Sequence, residues 1–235
     1  MKKDATLPTN NAYVLKYGPE RTILVKQEAY PYEVPEELLD TNKPKWIYLT
    51  SIGKSALSFQ HDLVAWVKAH PDVKLAFQPG TFQMQVGKDE LKDVYAASDI
   101  FFCNKEEAER ILGLPHAGFL ELHKAMRALG PKMVVITDGP NGLTASETDE
   151  TIWHLPMYPD PKPPISRTGA GDATSSTIVV ALSLGMSLEQ AITWGPVNSM
   201  NVVQHVGAQA GLLSRAELAD WLSKRPANYK VSKLL

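Results

Sequence analysis

The chain has 235 residues, 44% of them apolar and 21% charged, with 24 basic against 26 acidic side chains and a net charge of −2. That balance excludes global disorder, which needs fewer apolar residues or a larger charge imbalance. It also argues against a protein whose main work is gripping nucleic acid or anionic lipid. The longest apolar stretch, residues 178–184 around Ser183, falls far short of the ~20 residues that span a bilayer.

At about 150 residues per domain, this length fits one large α/β domain or two small ones. The amino terminus, MKKDATLPTNNAYVL, lacks the ~7–15-residue apolar core of a secretory signal. Cys103 is the single cysteine, so no internal disulfide forms and no second thiol joins a zinc site. Both features fit the cytoplasm. Cys103 itself reads as a small buried residue ending the run Ile100-Phe101-Phe102 rather than as a reactive thiol.

Residues 13–27, YVLKYGPERTILVKQ, hold two alternating runs around Gly18-Pro19-Glu20, the pattern of a hairpin with one wet face. A Pro- and Glu-rich connection leads to a short buried strand at residues 46–50 and an amphipathic helix over 56–69, closed by His70-Pro71. Further strands are expected at 73–77, 99–103 and 133–137, and helices at 89–97, 105–112 and 120–129. Residues 143–145 and 151–155 read as a second hairpin, 156–164 as a proline-heavy loop, and 171–184, 187–205 and 214–223 as three helices. The C-terminal NYKVSKLL reads as an edge strand or a tail.

Strands alternating with helices argue for a parallel sheet covered on both faces. Ligands bind such sheets at the carboxyl ends of the strands. Residues 50–53, 78–81, 103–107 and 137–142 are therefore the ones to watch.

Two glycine motifs invite a nucleotide reading. Gly53-Lys54-Ser55 follows a strand and precedes a helix, but a P-loop needs another glycine five positions before the Gly-Lys pair, and Tyr48 stands there. A turn and helix start is the better account. The second motif is Arg167-Thr168-Gly169-Ala170-Gly171-Asp172-Ala173. A dinucleotide fingerprint must follow a strand directly and carries Gly or Ala at its sixth position. Here a proline-rich run precedes it, Thr174 holds that position, and Asp172 would repel a pyrophosphate.

Phosphoryl transfer suits the segment better. Backbone amides of a glycine turn at a helix N-terminus hold the anion, while an adjacent carboxylate takes the proton of the attacking hydroxyl. An Asp N-cap after a loop is the plainer alternative. Asn104 and Glu107 lie at a strand's carboxyl end, where an amide plus a carboxylate suits a water-rich Mg²⁺ shell. The same pair also reads as a helix cap and a first-turn acid.

These residues carry a resemblance. RTGAGDATSSTIVVALSLG resembles the second signature of the PfkB/ribokinase family of sugar and nucleoside kinases. NKEEAERILG (104–113), VVITDGPNGLTA (134–145) and NSMNVVQHVGAQAGL (198–212) resemble three further family blocks in order and spacing. The resemblance implies a three-layer αβα ribokinase-like fold, with 1–235 as a single kinase domain and 13–27 as a lid-type hairpin. The implied activity is ATP-dependent phosphorylation of a hydroxymethyl group on a small sugar or nucleoside.

In that picture Asp172 is the general base and Gly169, Ala170, Gly171 and Asp172 form the anion hole. Asn104 and Glu107 organise Mg²⁺ and phosphates. Thr137, Gly139 and Gly142 hold the nucleotide, and Asn198, Gly207 and Ala208 close over adenine. Nucleic acid and membrane are not expected partners, whereas pairing of two copies through the lid is an arrangement known in the family.

The departures are specific. Ser166, followed by Arg167, replaces an acidic residue that helps seat a monovalent cation, which leaves that requirement open, and Thr174 replaces a common aromatic. His154 and His205 read as packed or solvent-edge histidines. The strand at Trp46 resembles one from the middle of the family sheet. No βαβ stretch with a Gly-Gly pair stands ahead of residues 13–27, so at least one such unit, on the order of 30 residues, is expected to be missing along with much of the acceptor pocket. The alternative reading is therefore a nucleotide-binding protein without catalysis.

Overall fold

The computed structural model describes residues 6–17 and 20–234. Strands β1 (Asn11–Tyr17) and β2 (Glu20–Lys26) pair antiparallel, from Asn11 opposite Lys26 to Tyr17 opposite Glu20. This is the expected hairpin, with Gly18 and Pro19 outside the described residues. Burial of one face does not follow. Tyr13, Leu15, Tyr17 and Leu24 on one face, and Val14, Ile23 and Val25 on the other, are all exposed. A two-stranded ribbon separate from the main sheet has no second layer to cover it.

The connection that follows contains a short helix, α1 (Glu36–Thr41), which Glu36 and Glu37 favour at its positive end. Next come β3 (Trp46–Leu49), a 3₁₀ turn at Lys54–Ala56, α2 (Leu57–Ala69) and β4 (Lys74–Phe77). Helix α3 (Thr81–Val86), too short to show a 3.6-residue period in sequence, precedes α4 (Lys92–Ala97). Then follow β5 (Ile100–Asn104), α5 (Lys105–Leu112), α6 (Phe119–Ala128) and β6 (Met133–Thr137). The second hairpin is β7 (Leu143–Ser146) and β8 (Ile152–Leu155). The helix expected over 187–205 is two, α8 (Leu188–Ala191) and α9 (Gly195–Val202), because Pro196 cannot sit in a helix interior but is accepted in a first turn. They lie between α7 (Ala170–Ser183) and α10 (Arg215–Ser223), and β9 (Ser232–Lys233) ends the fold.

Among the described residues, the main sheet runs β3-β4-β5-β6-β7-β8-β9. Pairing is parallel from β3 to β6 and antiparallel from β6 to β9, so β3, β4, β5, β6 and β8 share one direction. The sheet is mostly parallel, and among the described residues β3 is its edge strand. No helix among the described residues is long and apolar enough to cross a membrane.

Alternation along the strands divides the interior into two cores. Leu75, Phe77, Phe101, Cys103, Val134 and Ile136 face α2, α4, α5 and α6. Ala76, Ile100, Phe102, Val135, Leu143 and Leu155 face α7, α8, α9 and α10. The helices before β6 thus cover one face and those after β8 the other. The switch leaves a crevice at the carboxyl ends of the central strands.

One buried polar cluster makes the fold sensitive to acid. The His123 ring lies between Ser146 Oγ and Thr144 Oγ1, 2.8 Å from each, and all three residues are buried. Thr144 donates to the Ile136 carbonyl at 3.4 Å, which assigns the ring proton to Nε2 and the acceptor role to Nδ1. Burial, reinforced by Arg127, lowers the imidazole from its ordinary 6.5 to about 4. Between those values the unfolded chain binds the extra proton, so stability rises with pH across the window and falls on acidification, by about 3 kcal/mol in all. Urea unfolding from pH 7 to pH 4 is expected to show this slope, and His123→Gln to flatten it. Parallel profiles for the two proteins would refute the assignment.

Candidate active site

Three parallel strands deliver polar residues to the crevice side by side. Gln78 follows β4, and its amide donates to the Leu49 carbonyl at the end of β3. Asn104 ends β5 directly opposite Thr137, which ends β6. Helix α7 completes the floor from the other face of the sheet. The cleft so formed has a volume of about 610 Å³.

Gly169 caps α7 with φ of +83°, a left-handed conformation that favours glycine. The first intrahelical bond runs from the Ala173 amide to the Gly169 carbonyl at 2.8 Å. The Gly171 and Asp172 amides at the second and third helical positions therefore have no acceptor within the helix, and the helix dipole adds to their pull on an anion. Asp172 is exposed in this first turn, and its Oδ1 accepts from Gln78 Nε2 at 3.0 Å.

Asn104 and Glu107 form a reciprocal cap on α5. Asn104 Oδ1 accepts the Glu107 amide at 2.8 Å, and Glu107 Oε2 accepts the Asn104 amide at 2.9 Å. The plainer reading of this pair is therefore realised, yet one Glu107 oxygen remains outside the cap. Burial holds the Glu107 carboxyl above its ordinary range, its cap bond and Arg110 oppose that, and the Asp172 and Glu106 carboxylates push it further up. No group of three or more His, Cys, Asp or Glu among the described residues is arranged to hold a metal by itself. One partly buried carboxylate beside a glycine turn that opens a helix fits Mg²⁺, which keeps several waters and shares its shell with phosphates.

The turn between β6 and β7 is tightly built. Asp138 accepts from the Asn141 amide at 2.9 Å and donates to the Gly142 carbonyl at 2.8 Å. Gly142 has φ of +91°, and a Cβ there would run into the Leu155 carbonyl. His154 Nε2 meets the Asn141 carbonyl at 3.2 Å, and His205 Nδ1 meets that of Asn201 at 2.9 Å, so both bond to backbone rather than to reacting groups.

Nine of the twelve residues given site roles from the sequence line this cleft: Asn104, Glu107, Thr137, Gly139, Gly142, Gly169, Ala170, Gly171 and Asp172. Asn198 lies elsewhere. It is buried, with Nδ2 donating to Thr177 Oγ1 at 2.7 Å and Oδ1 accepting the Leu213 amide at 2.9 Å. Helix α9 lines the cleft with Pro196, Ser199 and Met200 instead, and its C-cap Val203 continues that face. Those positions are spaced i, i+3, i+4, i+7, one helical face, which Asn198 does not share. The period was readable in the sequence. Gly207 and Ala208 are exposed on the loop after α9, outside the lining. Ser166 accepts the Thr168 amide at 3.3 Å, and Thr174 is buried in the cleft wall.

A profile described as pfkB family carbohydrate kinase matches residues 1–215. Over 166 residues the chain is 24% identical to ketohexokinase of Mus musculus, a span of 68% of this chain and 52% of that relative. Ribokinase from Giardia lamblia superposes over 94% of this chain and 74% of its own, with a TM-score of 0.79 and 20% identity. Arabidopsis thaliana ribokinase, solved with ribose and ATP, superposes over 92% and 69%, with a TM-score of 0.76 and 22% identity. The chain thus has the ribokinase-like αβα fold and spans about half or less of the length of curated relatives it matches.

Proposed function

The chain belongs to the pfkB family of carbohydrate kinases, and from that premise we propose that it transfers the γ-phosphoryl group of ATP to a hydroxymethyl group of a small sugar or nucleoside. The observation that carries the reading is Asp172 in the first turn of α7, beside the orphan amides of Gly171 and its own residue and across the cleft from Glu107.

In this reading the acceptor hydroxyl approaches Asp172, which takes its proton as the oxygen attacks phosphorus. The bond to the leaving ADP oxygen breaks as the new O–P bond forms. The amides from Gly169 to Asp172 hold the equatorial oxygens, where they stabilise charge spread over the transferring group. The Gly139–Gly142 turn and the lining face of α9 flank the nucleotide. Thr137 orients the phosphates between them. Gly207 and Ala208 cover the base, and Asn198 fixes α9 to α7 from behind. Glu107, Asn104 and water would hold Mg²⁺, which would neutralise charge on the phosphates. The exposed apolar faces of the β1–β2 hairpin support pairing of two copies through it.

The test is calorimetry with ATP and Mg²⁺, followed by an ADP-release assay across a panel of sugars and nucleosides. ATP binding together with acceptor-dependent ADP release is expected. Binding without transfer to any acceptor would instead establish the non-catalytic, nucleotide-binding role.

A further inference from the structure

Two side chains outside the residues so far given a role reach Asp172 in series. Tyr48 on β3 pairs with Ala76 on β4, and Gln78 lies two residues beyond Ala76. All three therefore address the sheet face that α7 covers. Gln78 Oε1 accepts a hydrogen bond from the Tyr48 phenol, and Gln78 Nε2 donates to Asp172 Oδ1 at 3.0 Å.

An amide has unlike ends, so its direction depends on what it meets. The Thr50 and Ser175 hydroxyls lie beside the Tyr48 oxygen, and they can donate to it while its own proton goes to Gln78. Burial, reinforced by the Asp172 charge, holds the phenol far above its ordinary value of 10, so it stays a donor at any working pH. With that proton directed at Gln78, the phenol takes the oxygen end of the amide, and the Asp172 carboxylate, which only accepts, takes the nitrogen end.

We propose that Gln78 is a positioning residue for the base: it occupies Asp172 Oδ1 and leaves Oδ2 for the acceptor proton, with Tyr48 setting the direction of the Gln78 amide. The proposal rests on the reading of Asp172 as the base. A carboxylate with both oxygens free samples several rotamers, and misplacement by about 1 Å costs on the order of 10²-fold in rate. An anchored carboxylate avoids that loss.

The test uses Gln78→Leu, Tyr48→Phe and the double variant in the full chain, with thermal unfolding to check that each folds. Gln78→Leu is expected to lower kcat by about 10- to 100-fold, with KM for ATP changed by less than about threefold. Tyr48→Phe should lower kcat about tenfold, and the double variant should be no worse than Gln78→Leu, because Tyr48 acts only through Gln78. Losses that multiply, or a Gln78→Leu enzyme with unchanged kcat, would overturn the proposal.

A second readout needs no turnover. In ¹⁵N-labelled protein the Gln78 side-chain amide, identified by its loss in Gln78→Leu, should show two widely split protons, one bonded to carboxylate. The splitting should collapse in Asp172→Ala and narrow in Tyr48→Phe. If the wild-type chain phosphorylates no acceptor, the kinase reading falls while this resonance still decides the positioning contact. An amide resonance indifferent to both substitutions removes the contact itself.

Discussion

Asp172→Asn is expected to lower kcat by about 10²- to 10⁴-fold, the range for loss of a general base, while affinity for ATP stays within about threefold. The substitution is nearly isosteric, and the asparagine carbonyl can still accept from Gln78 Nε2, which reaches Oδ1 at 3.0 Å. The backbone of α7 keeps its Gly169 start, so the anion hole survives. What disappears is the ability to take a proton during transfer, an interaction made only on the way to the transition state. The lost charge at the helix N-terminus costs at most about 1 kcal/mol, because the side chain is solvent-exposed. The check pairs calorimetry of ATP binding with an ADP-release assay. Turnover within a few-fold of wild type would remove Asp172 from the role of base.

The sequence showed where the chemistry gathers better than how the site is held. The sequence brings Asn104, Thr137 and Asp172 to one cleft because two rules meet there: parallel strands end at ligands, and small residues followed by a carboxylate open a helix. Strands β5 and β6 and helix α5 stood out through apolar runs bounded by Asn, Gly and Pro. Helix α3 did not, because six residues after Gln78-Pro79-Gly80 show less than two turns of periodicity. Exposure of the hairpin was illegible for a different reason. Alternation says which residues share a face, and only the layer opposite decides whether that face is covered. Contacts such as Gln78 with Asp172, 94 residues apart, depend on the crossing of α7 over the sheet. No local pattern reports them.

Gln83, in the short helix α3, is where the largest stability effect is expected. Its side chain is buried, and both of its ends are fully used. Oε1 accepts the Gly80 amide at 2.8 Å and the Ile52 amide at 3.3 Å. Nε2 donates to the Thr50 carbonyl at 3.2 Å and to Gln60 Oε1 at 3.0 Å. One side chain thereby ties the loop after β3 to the loop after β4, the second of which delivers Gln78 to the cleft. Gln83→Leu keeps the volume but leaves the buried Gln60 Oε1 and three part-buried backbone groups without this partner, at about 1–3 kcal/mol for each group that water cannot reach. A loss of about 4 kcal/mol is expected, a large share of a typical domain's 5–15 kcal/mol. Adding Gln60→Leu removes one of the orphaned acceptors, so the double variant should lose less than the two single losses combined. Urea unfolding followed by circular dichroism measures all three. A single-variant loss below about 1 kcal/mol, or strict additivity, would show that the two loops are held by something other than this amide.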